Sequence, residues 1–428
     1  MADKSVIIKL QQDSGRYLRS YRDQNLISWI GLWLTPLVCF GSGVVAIFGE
    51  GSITRVFGSL ILLGCAGALV FAGLGGHKFG YSARILFIPA MVCVFTYAVS
   101  LAISVDRIEL LNSNFVTPLF KLILSLVVVF FVSEQDWNSP KLWLSIVALG
   151  NLILGFDLAL ILFFGIQEDT LTIYLHLHSN SVALFGFVGI IYGVIMFYLN
   201  FSKLHNALAI TLTVIAFLCV AMTKGRSILI SMFVAVGITM LLRYWARYRR
   251  LRSSLIVIVA SLCLAIPTIY GAIGNSRLFN DVDRLSNAWF GKGIYTGREF
   301  VWPIVIDDIY ERPWFGYGVE SRSRWEWQEY GSDATKLSAH NSYLSILHEA
   351  GIFGVAGFAF FVWFVWATLI KLPGSIPTQL CSGFLWAALL QQSFEVSLIN
   401  GDYLRAICIW SVVGCGLSFI NSNLESQK

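Results

Sequence analysis

The amino-acid sequence predicts an all-α protein that crosses a membrane about twelve times. Of its 428 residues, 57% are hydrophobic and 13% are charged, and the mean hydropathy is +0.72. A soluble domain is about 45–50% apolar and 25% charged, so this composition excludes an ordinary soluble fold. Apolar windows of about 20 residues, long enough to cross a bilayer as helices, recur along the chain. Composition and windows together indicate a polytopic membrane protein.

Twelve apolar windows are the candidate spans. They lie at 28–48, 56–75, 85–103, 115–133, 142–165, 181–199, 207–222, 227–242, 254–272, 343–370, 379–398 and 406–422. Residues 1–27 are polar, and no short apolar segment with a cleavage site follows them, so the first span is interpreted as uncleaved. The eight cysteines fall singly inside apolar windows, which favours small core residues over disulfides or metal ligands.

The distribution of Lys and Arg predicts the orientation. With the N-terminus inside, the cytoplasmic connections hold 16 basic residues and the short outer loops hold 5. The positive-inside rule therefore places both termini in the cytoplasm. The predicted organisation is a tail at 1–27, nine helices over 28–272, an extracytoplasmic loop at 273–342, three helices over 343–422 and a tail at 423–428.

The loop at 273–342 is the predicted functional region. It holds 18 charged residues and five of the 14 tryptophans. A flexible linker would be rich in Gly, Ser or Pro instead, so the loop is expected to fold. Thr296-Gly297-Arg298-Glu299 has the form of a capping box that opens a helix. Pro303 suits only a first turn, which leaves a start near Val301 as the alternative. Gly316-Tyr317-Gly318 is expected to form a turn.

A second helix is expected to start near Ser338 and to continue into the tenth span. His340 would then lie in its first turn, where the helix dipole favours a neutral imidazole that can accept a proton. The same helix end attracts phosphate oxygens. The alternative interpretation is a surface histidine that only caps its helix.

Arg226 and Arg298 are the candidate anion ligands. Arg226 lies at the tip of the tight hairpin between spans seven and eight, and Arg298 opens the loop helix. Arginine stays charged and binds phosphate through two parallel hydrogen bonds. The alternatives are a charge at the membrane interface for Arg226 and an ordinary first-turn residue for Arg298.

At these positions the sequence resembles the O-antigen ligase and polymerase family, whose members are membrane glycosyltransferases. The similar motifs are Thr223-Lys224-Gly225-Arg226-Ser227, Arg298 with Trp302, Pro313-Trp314-Phe315-Gly316-Tyr317-Gly318, His340-Asn341-Ser342-Tyr343-Leu344 and Glu349-Ala350-Gly351-Ile352-Phe353-Gly354. Gly225 stands where the family commonly has serine. His178-Ser179-Asn180 resembles the polar segment that opens the family domain.

The resemblance implies a GT-C-like fold and a metal-independent, inverting glycan transfer without a cofactor. The donor would be a glycan on undecaprenyl diphosphate, at the periplasmic face of a bacterial inner membrane. Arg226 and Arg298 would bind the diphosphate, and His340 would take the proton from the acceptor hydroxyl. Asn341, Tyr317, Trp302 and Tyr343 would support the site by orienting His340 or stacking on sugars; the alternative for them is packing.

The acceptor distinguishes two forms of the reaction. A ligase, the first hypothesis, transfers to the lipid A-core, whereas a polymerase transfers to another lipid-linked repeat. A secondary transporter or flippase is the alternative from another class, but it would show internal repeats and more buried charges. A glycan-binding scaffold would need the arginines but not His340. Membrane lipids are expected partners, and a net charge of +5 gives no indication of nucleic acid.

Overall fold

The computed structural model describes residues 28–40, 52–104, 113–164, 179–244, 254, 261, 277–290, 298–318, 340–371, 375–396, 398 and 403–425. Within these ranges the chain is helical and contains no strand. The helices are α1 (Ser28–Phe40), α2 (Ser52–Leu74), α3 (Tyr81–Ser104), α4 (Ser113–Ser133), α5 (Pro140–Phe164), α6 (Ser179–Leu199), α7 (Lys203–Met222), α8 (Arg226–Tyr244), α9 (Arg277–Phe290), α10 (Arg298–Glu311), α11 (Ser342–Leu369), α12 (Ile376–Gln391) and α13 (Tyr403–Glu425).

The prediction of a multi-pass, all-helical membrane protein is confirmed. Seven helices in the described ranges are long and apolar enough to cross a membrane. Eleven of the twelve predicted spans coincide with helices, namely α1 to α8 and α11 to α13. The ninth, at 254–272, lies outside the described residues apart from two isolated positions. The count of twelve therefore stays a prediction.

Two helices form the centre of the bundle. The apolar window of α13 is 83% buried and that of α6 is 72% buried, whereas the windows of α7 and α8 are only 28% buried. Small residues allow close approach: a Cβ at Gly186 or Gly193 of α6 would come within 3 Å of main-chain oxygens of α7. The apolar surface of α7 and α8 is left for lipid.

Gly351 breaks α11 into two parts. Its φ of 61° and ψ of −165° are non-helical, in a region that essentially only glycine adopts. Residues 352–369 span about 27 Å as a helix, close to the roughly 30 Å hydrocarbon thickness. The part from Ser342 to Gly351 can therefore follow another direction.

The segment after α10 supplies the hydrogen bonds that this break removes. The N–H groups of Tyr317 and Gly318 donate to the carbonyl oxygens of His348 and Glu349, at 2.8 and 3.0 Å. In return, the N–H group of Ile352 donates to the carbonyl oxygen of Pro313 at 2.8 Å. Broken helices at membrane depth are tolerated only where protein satisfies the backbone in this way. The turn lies at 313–315, just before the predicted Gly316-Tyr317-Gly318, and the Gly316 N–H donates to the carbonyl oxygen of Arg312 at 3.1 Å. Gly316 and Gly318 both have positive φ.

Candidate functional site

The beginning of α11 is attached to the residues that follow α12. The Ser342 N–H donates to the carbonyl oxygen of Gln392 at 2.8 Å, and its hydroxyl donates to the Gln392 side-chain oxygen at 2.7 Å. The Asn341 side-chain amide donates to the carbonyl oxygen of Ser393 at 3.2 Å. The start of α11 and the end of α12 therefore lie at the same end of the bundle.

Two more helices begin at this end. Glu395 is 6% exposed; one of its carboxylate oxygens accepts a hydrogen bond from the Asn180 amide, and the other lies 3.8 Å from a guanidinium nitrogen of Arg405. Asn180 belongs to the first turn of α6, and Arg405 to the first turn of α13. The beginnings of α6 and α13 are thus joined through one buried carboxylate.

Arg226 lies at this end as the first residue of α8. A Cβ on the preceding Gly225 would come within 2.9 Å of the Cβ of Ala183, one turn from Asn180. Near the other end of α8, the Thr239 hydroxyl donates to the carbonyl oxygen of Gln379 at 3.4 Å, so α8 runs antiparallel to α12. The start of α8 therefore lies near the end of α12. We call this common end of α6, α8, α11, α12 and α13 the site end.

The Arg226 side chain is half-buried and donates a hydrogen bond to the Ser286 hydroxyl of α9. Ser286 is buried, but its neighbours Leu285 and Trp289 are 57% and 74% exposed. α9 was not predicted from the sequence. It contacts Arg226 through Ser286, while its apolar side chains Leu285 and Trp289 remain exposed.

α10 runs beside the first part of α11 in the same direction. Val301 and Trp302 share an apolar cluster with Leu344 near both beginnings, and Asp308 meets His348 further along. Arg298 opens α10, so the alternative start near Val301 is wrong. Thr296 lies outside the described residues, so the capping box stays a prediction. This parallel course places the beginning of α10 at the beginning of α11. The Arg298 side chain lies outside what the structure describes.

His340 does not lie in the first turn of a helix, so that expectation is wrong. α11 begins at Ser342, because Asn341 is its N-cap: the Asn341 side-chain oxygen accepts from the N–H groups of Tyr343 and Leu344, at 2.9 and 3.1 Å. His340 precedes this cap with a φ of 45°, in left-handed backbone, and is partly exposed. Asparagine, aspartate and histidine are the non-glycine residues enriched in that conformation.

The supporting residues predicted from the sequence have packing contacts. The Asn341 side chain caps α11 and reaches Ser393, Trp302 is 3% exposed between α10 and α11, and the Tyr343 hydroxyl donates to the carbonyl oxygen of Leu389 at 2.7 Å. These contacts favour the packing interpretation over sugar stacking. Tyr317 is half-buried, and its hydroxyl donates to Glu311. Burial, and next this hydrogen bond, raise the pKa of Tyr317, so the hydroxyl stays a donor at neutral pH.

The electrostatics of the site end favour an anion. The beginnings of α6, α8, α11 and α13 meet there, and each helix start carries the positive end of a dipole. At α11 the first N–H groups already donate to Asn341 and Gln392. Arg226 and Arg405 add formal charges at two of these starts. Glu395 opposes them in part. Oxygen-rich anions such as phosphate bind where helix starts and arginine side chains combine.

Sequence reasoning missed part of this arrangement. Glu395 and Arg405 are ten residues apart, on either side of the connection between the last two spans. The sequence shows an acidic and a basic residue there but does not indicate that they pair. The contact between His348 and Asp308 was also not predicted, because their separation of 40 residues follows no local period. Among the described residues, no three His, Cys, Asp or Glu side chains come together as metal ligands.

Comparison with known families finds a match for the part of the chain that contains Arg226, Arg298 and His340. Residues 211–359 match the family model described as O-antigen ligase. The predicted resemblance is confirmed. The matched O-antigen ligase segment includes Arg226, Arg298, His340 and the break at Gly351, while Asn180, Glu395 and Arg405 lie on either side of it. The family contains glycan-transferring membrane enzymes of the ligase and polymerase type. A comparison with curated proteins finds no significant match.

Proposed function

We propose that this protein is an O-antigen ligase, which transfers a glycan from undecaprenyl diphosphate to a hydroxyl of the lipid A-core at the site end. The observation that carries the proposal is the meeting of four helix beginnings with Arg226, next to the chain segment that holds His340. The donor is membrane-anchored and diphosphate-linked, so a positive site at the end of membrane helices suits it.

The proposed reaction replaces one bond at the anomeric carbon. The acceptor oxygen forms a bond to the anomeric carbon as the bond between this carbon and the phosphate oxygen breaks. The configuration of the carbon is inverted. His340 accepts the hydroxyl proton, and the negative charge passes to the departing lipid diphosphate. Arg226 and Arg298 would stabilise this charge, an effect that is larger in a site shielded from water. His340 is partly exposed and can be reached by an acceptor.

We place the site end at the periplasmic face of a bacterial inner membrane, with residues 273–342 outside and both termini in the cytoplasm. This assignment depends on the excess of basic residues in the opposite connections. The break at Gly351 leaves 352–369, which is long enough to cross the bilayer alone. The first part of α11 can then lie over the outer surface together with α10.

A reconstituted transfer reaction tests the proposal. Purified protein in lipid nanodiscs is given a lipid-diphosphate glycan, with either lipid A-core or a second lipid-linked glycan as acceptor, and products are separated by electrophoresis. A ligase produces glycosylated lipid A-core and free lipid diphosphate. Extension of the lipid-linked glycan alone would assign polymerase activity. Movement of donor across a vesicle membrane, with no new glycosidic bond, would replace the proposal with a transporter.

A further inference from the structure

A buried histidine that the proposed reaction does not use faces the helix that carries Arg298. The Nε2 atom of His348, on the first part of α11, lies 3.0 Å from a carboxylate oxygen of Asp308 on α10. The side chain of His348 is 3% exposed and that of Asp308 is 31% exposed. The pair therefore lies within the interface between the two helices and reaches water on the Asp308 side.

Other polar groups surround His348 on several sides. The Tyr317 ring stacks on the imidazole of His348 with 5.6 Å between the ring centroids, and the guanidinium carbon of Arg312 lies 4.6 Å from the centroid of the Tyr317 ring. The Tyr317 hydroxyl donates a hydrogen bond to the carboxylate of Glu311. On the helix of His348 itself, the next residue, Glu349, is buried and accepts from the Tyr97 hydroxyl of α3 at 2.9 Å. The charged groups around the pair, besides Asp308 itself, are therefore Glu349, Glu311 and Arg312.

The contact between Asp308 and His348 lies near the end of α10 and near the end of the first part of α11. On one side is the apolar cluster around Trp302 and Leu344. On the other are the backbone hydrogen bonds between the segment after α10 and the break at Gly351. Apolar contacts allow α10 to slide or rotate at low cost, whereas a hydrogen bond between an imidazole and a carboxylate is directional. Together with those backbone hydrogen bonds, this contact therefore sets the position of α10 along α11.

We propose that His348 and Asp308 form a positioning pair that holds α10, and with it Arg298, beside His340, and that protonation of His348 strengthens the pair. The coupling to donor binding rests on the proposed function, but the docking of α10 does not. An imidazolium and a carboxylate form a charge-assisted hydrogen bond, which is stronger than that of a neutral imidazole.

The sign of the pH effect follows from this difference. Histidine side chains change charge between about pH 5 and 8. The pair is strongest where His348 is protonated and weakens as the pH rises through that range. Docking of α10, and donor affinity through Arg298, should therefore both decrease from pH 6 to pH 8.

Hydrogen–deuterium exchange of the peptide 298–311 measures docking without any donor. The variants are His348→Leu, which removes the hydrogen bond, and His348→Gln, whose amide can still donate to Asp308 but does not titrate. Asp307→Asn is the matched control, because Asp307 is an exposed neighbour on α10. We expect His348→Leu to exchange about three- to tenfold faster than the control, allowing for the partial exposure of Asp308. His348→Gln, which is neutral at both pH values, should exchange like wild type at pH 8 and show no further change at pH 6, relative to the control at each pH.

Donor affinity in the His340→Ala background tests the second part, since this variant should bind donor without consuming it. With a lipid-diphosphate glycan as the probe, affinity should fall about threefold to tenfold from pH 6 to pH 8 with His348 present, and stay constant with His348→Gln. Equal exchange in His348→Leu and Asp307→Asn would overturn the positioning pair. A pH dependence that persists in His348→Gln would overturn the role of protonation. Failure to bind donor at either pH would count against the proposed function, while the exchange result would still decide the docking.

Discussion

Gly351 lies directly against the main chain of Trp314. A Cβ atom on Gly351 would come within 2.3 Å of the carbonyl carbon and oxygen of Trp314, and Gly351 itself has a φ of 61°. The break in α11 and the segment after α10 therefore require each other. The break leaves backbone groups of α11 without helical partners, and the segment after α10 forms hydrogen bonds with them. Only glycine at position 351 permits so close an approach to the main chain of Trp314.

Gly351→Ala should destabilise the protein through both effects. The backbone conformation alone costs about 1–3 kcal/mol for a residue with a side chain, and the contact with Trp314 is with backbone that cannot rotate away. We expect a clear fall in the thermal unfolding temperature in detergent. Gly237→Ala is the control, because a Cβ at Gly237 of α8 meets nothing within 4 Å. Equal stability of the two variants would show that the break does not depend on close approach.

Asn341→Ala should destabilise the start of α11. Its side-chain oxygen caps the N–H groups of Tyr343 and Leu344, and loss of such a cap costs about 0.5–2 kcal/mol. Asn341→Ser should recover most of the stability, since serine is also a strong N-cap. Thermal unfolding of both variants measures the effect. If activity were lost in the serine variant while stability was restored, Asn341 would act on His340 rather than on the helix.

Membrane spans could be predicted from the sequence because burial in lipid imposes a length and a composition on each helix separately. The predicted and observed limits agree closely for α5 and α6, for example. The break at Gly351 could not be predicted, because it lies inside an apolar run and depends on backbone contacts with Pro313 and Trp314. Hydropathy does not report such contacts.

The start of α11 shows the same limit at the site. Ser338 and Asn341 are both good N-cap residues, so the local sequence allowed either. Contacts of Asn341 and Ser342 with Gln392 and Ser393, about 50 residues away, accompany the start that the structure adopts. The pairing of Glu395 with Arg405 likewise became visible only when the helix ends were placed together.

Arg226→Ala should remove most transfer activity while the protein stays folded. A hydrogen bond to a charged group is worth about 1.5–3 kcal/mol, or about ten- to a hundredfold in rate if it acts in the transition state. Arg226→Lys should recover only part, because an ammonium group cannot bind two phosphate oxygens in parallel. Arg298→Ala and Arg298→Lys should behave in the same way. Initial rates in the nanodisc reaction measure each effect.

Ser286→Ala separates two explanations for a loss at Arg226. This variant removes the α9 hydroxyl that Arg226 contacts but leaves the guanidinium in place. We expect a rate within about threefold of wild type, since the guanidinium that would bind the diphosphate is retained. A loss as large as that of Arg226→Ala would mean that Arg226 acts by holding α9. Full activity of Arg226→Ala would remove Arg226 from the site.

Labelling of introduced cysteines tests the orientation. If residues 273–342 face the periplasm, a cysteine at Ser332 should react with a membrane-impermeant maleimide in intact spheroplasts. A cysteine at Ser253, next to the basic cluster at 243–252, should react only after lysis. The seven native cysteines in the described parts of the chain are buried and should give little background. The reverse pattern would invert the membrane orientation and with it the face on which the acceptor must arrive.

His340→Ala should nearly abolish glycan transfer, because general-base catalysis contributes about 10²–10⁴-fold. Folding should be retained, since His340 precedes the Asn341 cap and is partly exposed. Donor binding should also be retained, because the arginines and helix beginnings carry it. His340→Gln should not restore the rate, as an amide cannot accept a proton at neutral pH. His340→Asn distinguishes the conformational role of His340 from its role as a base, because asparagine tolerates the left-handed conformation but cannot accept the proton. Recovery of the wild-type rate in His340→Asn would show that His340 serves only the turn before α11, and the proposed proton transfer would be wrong.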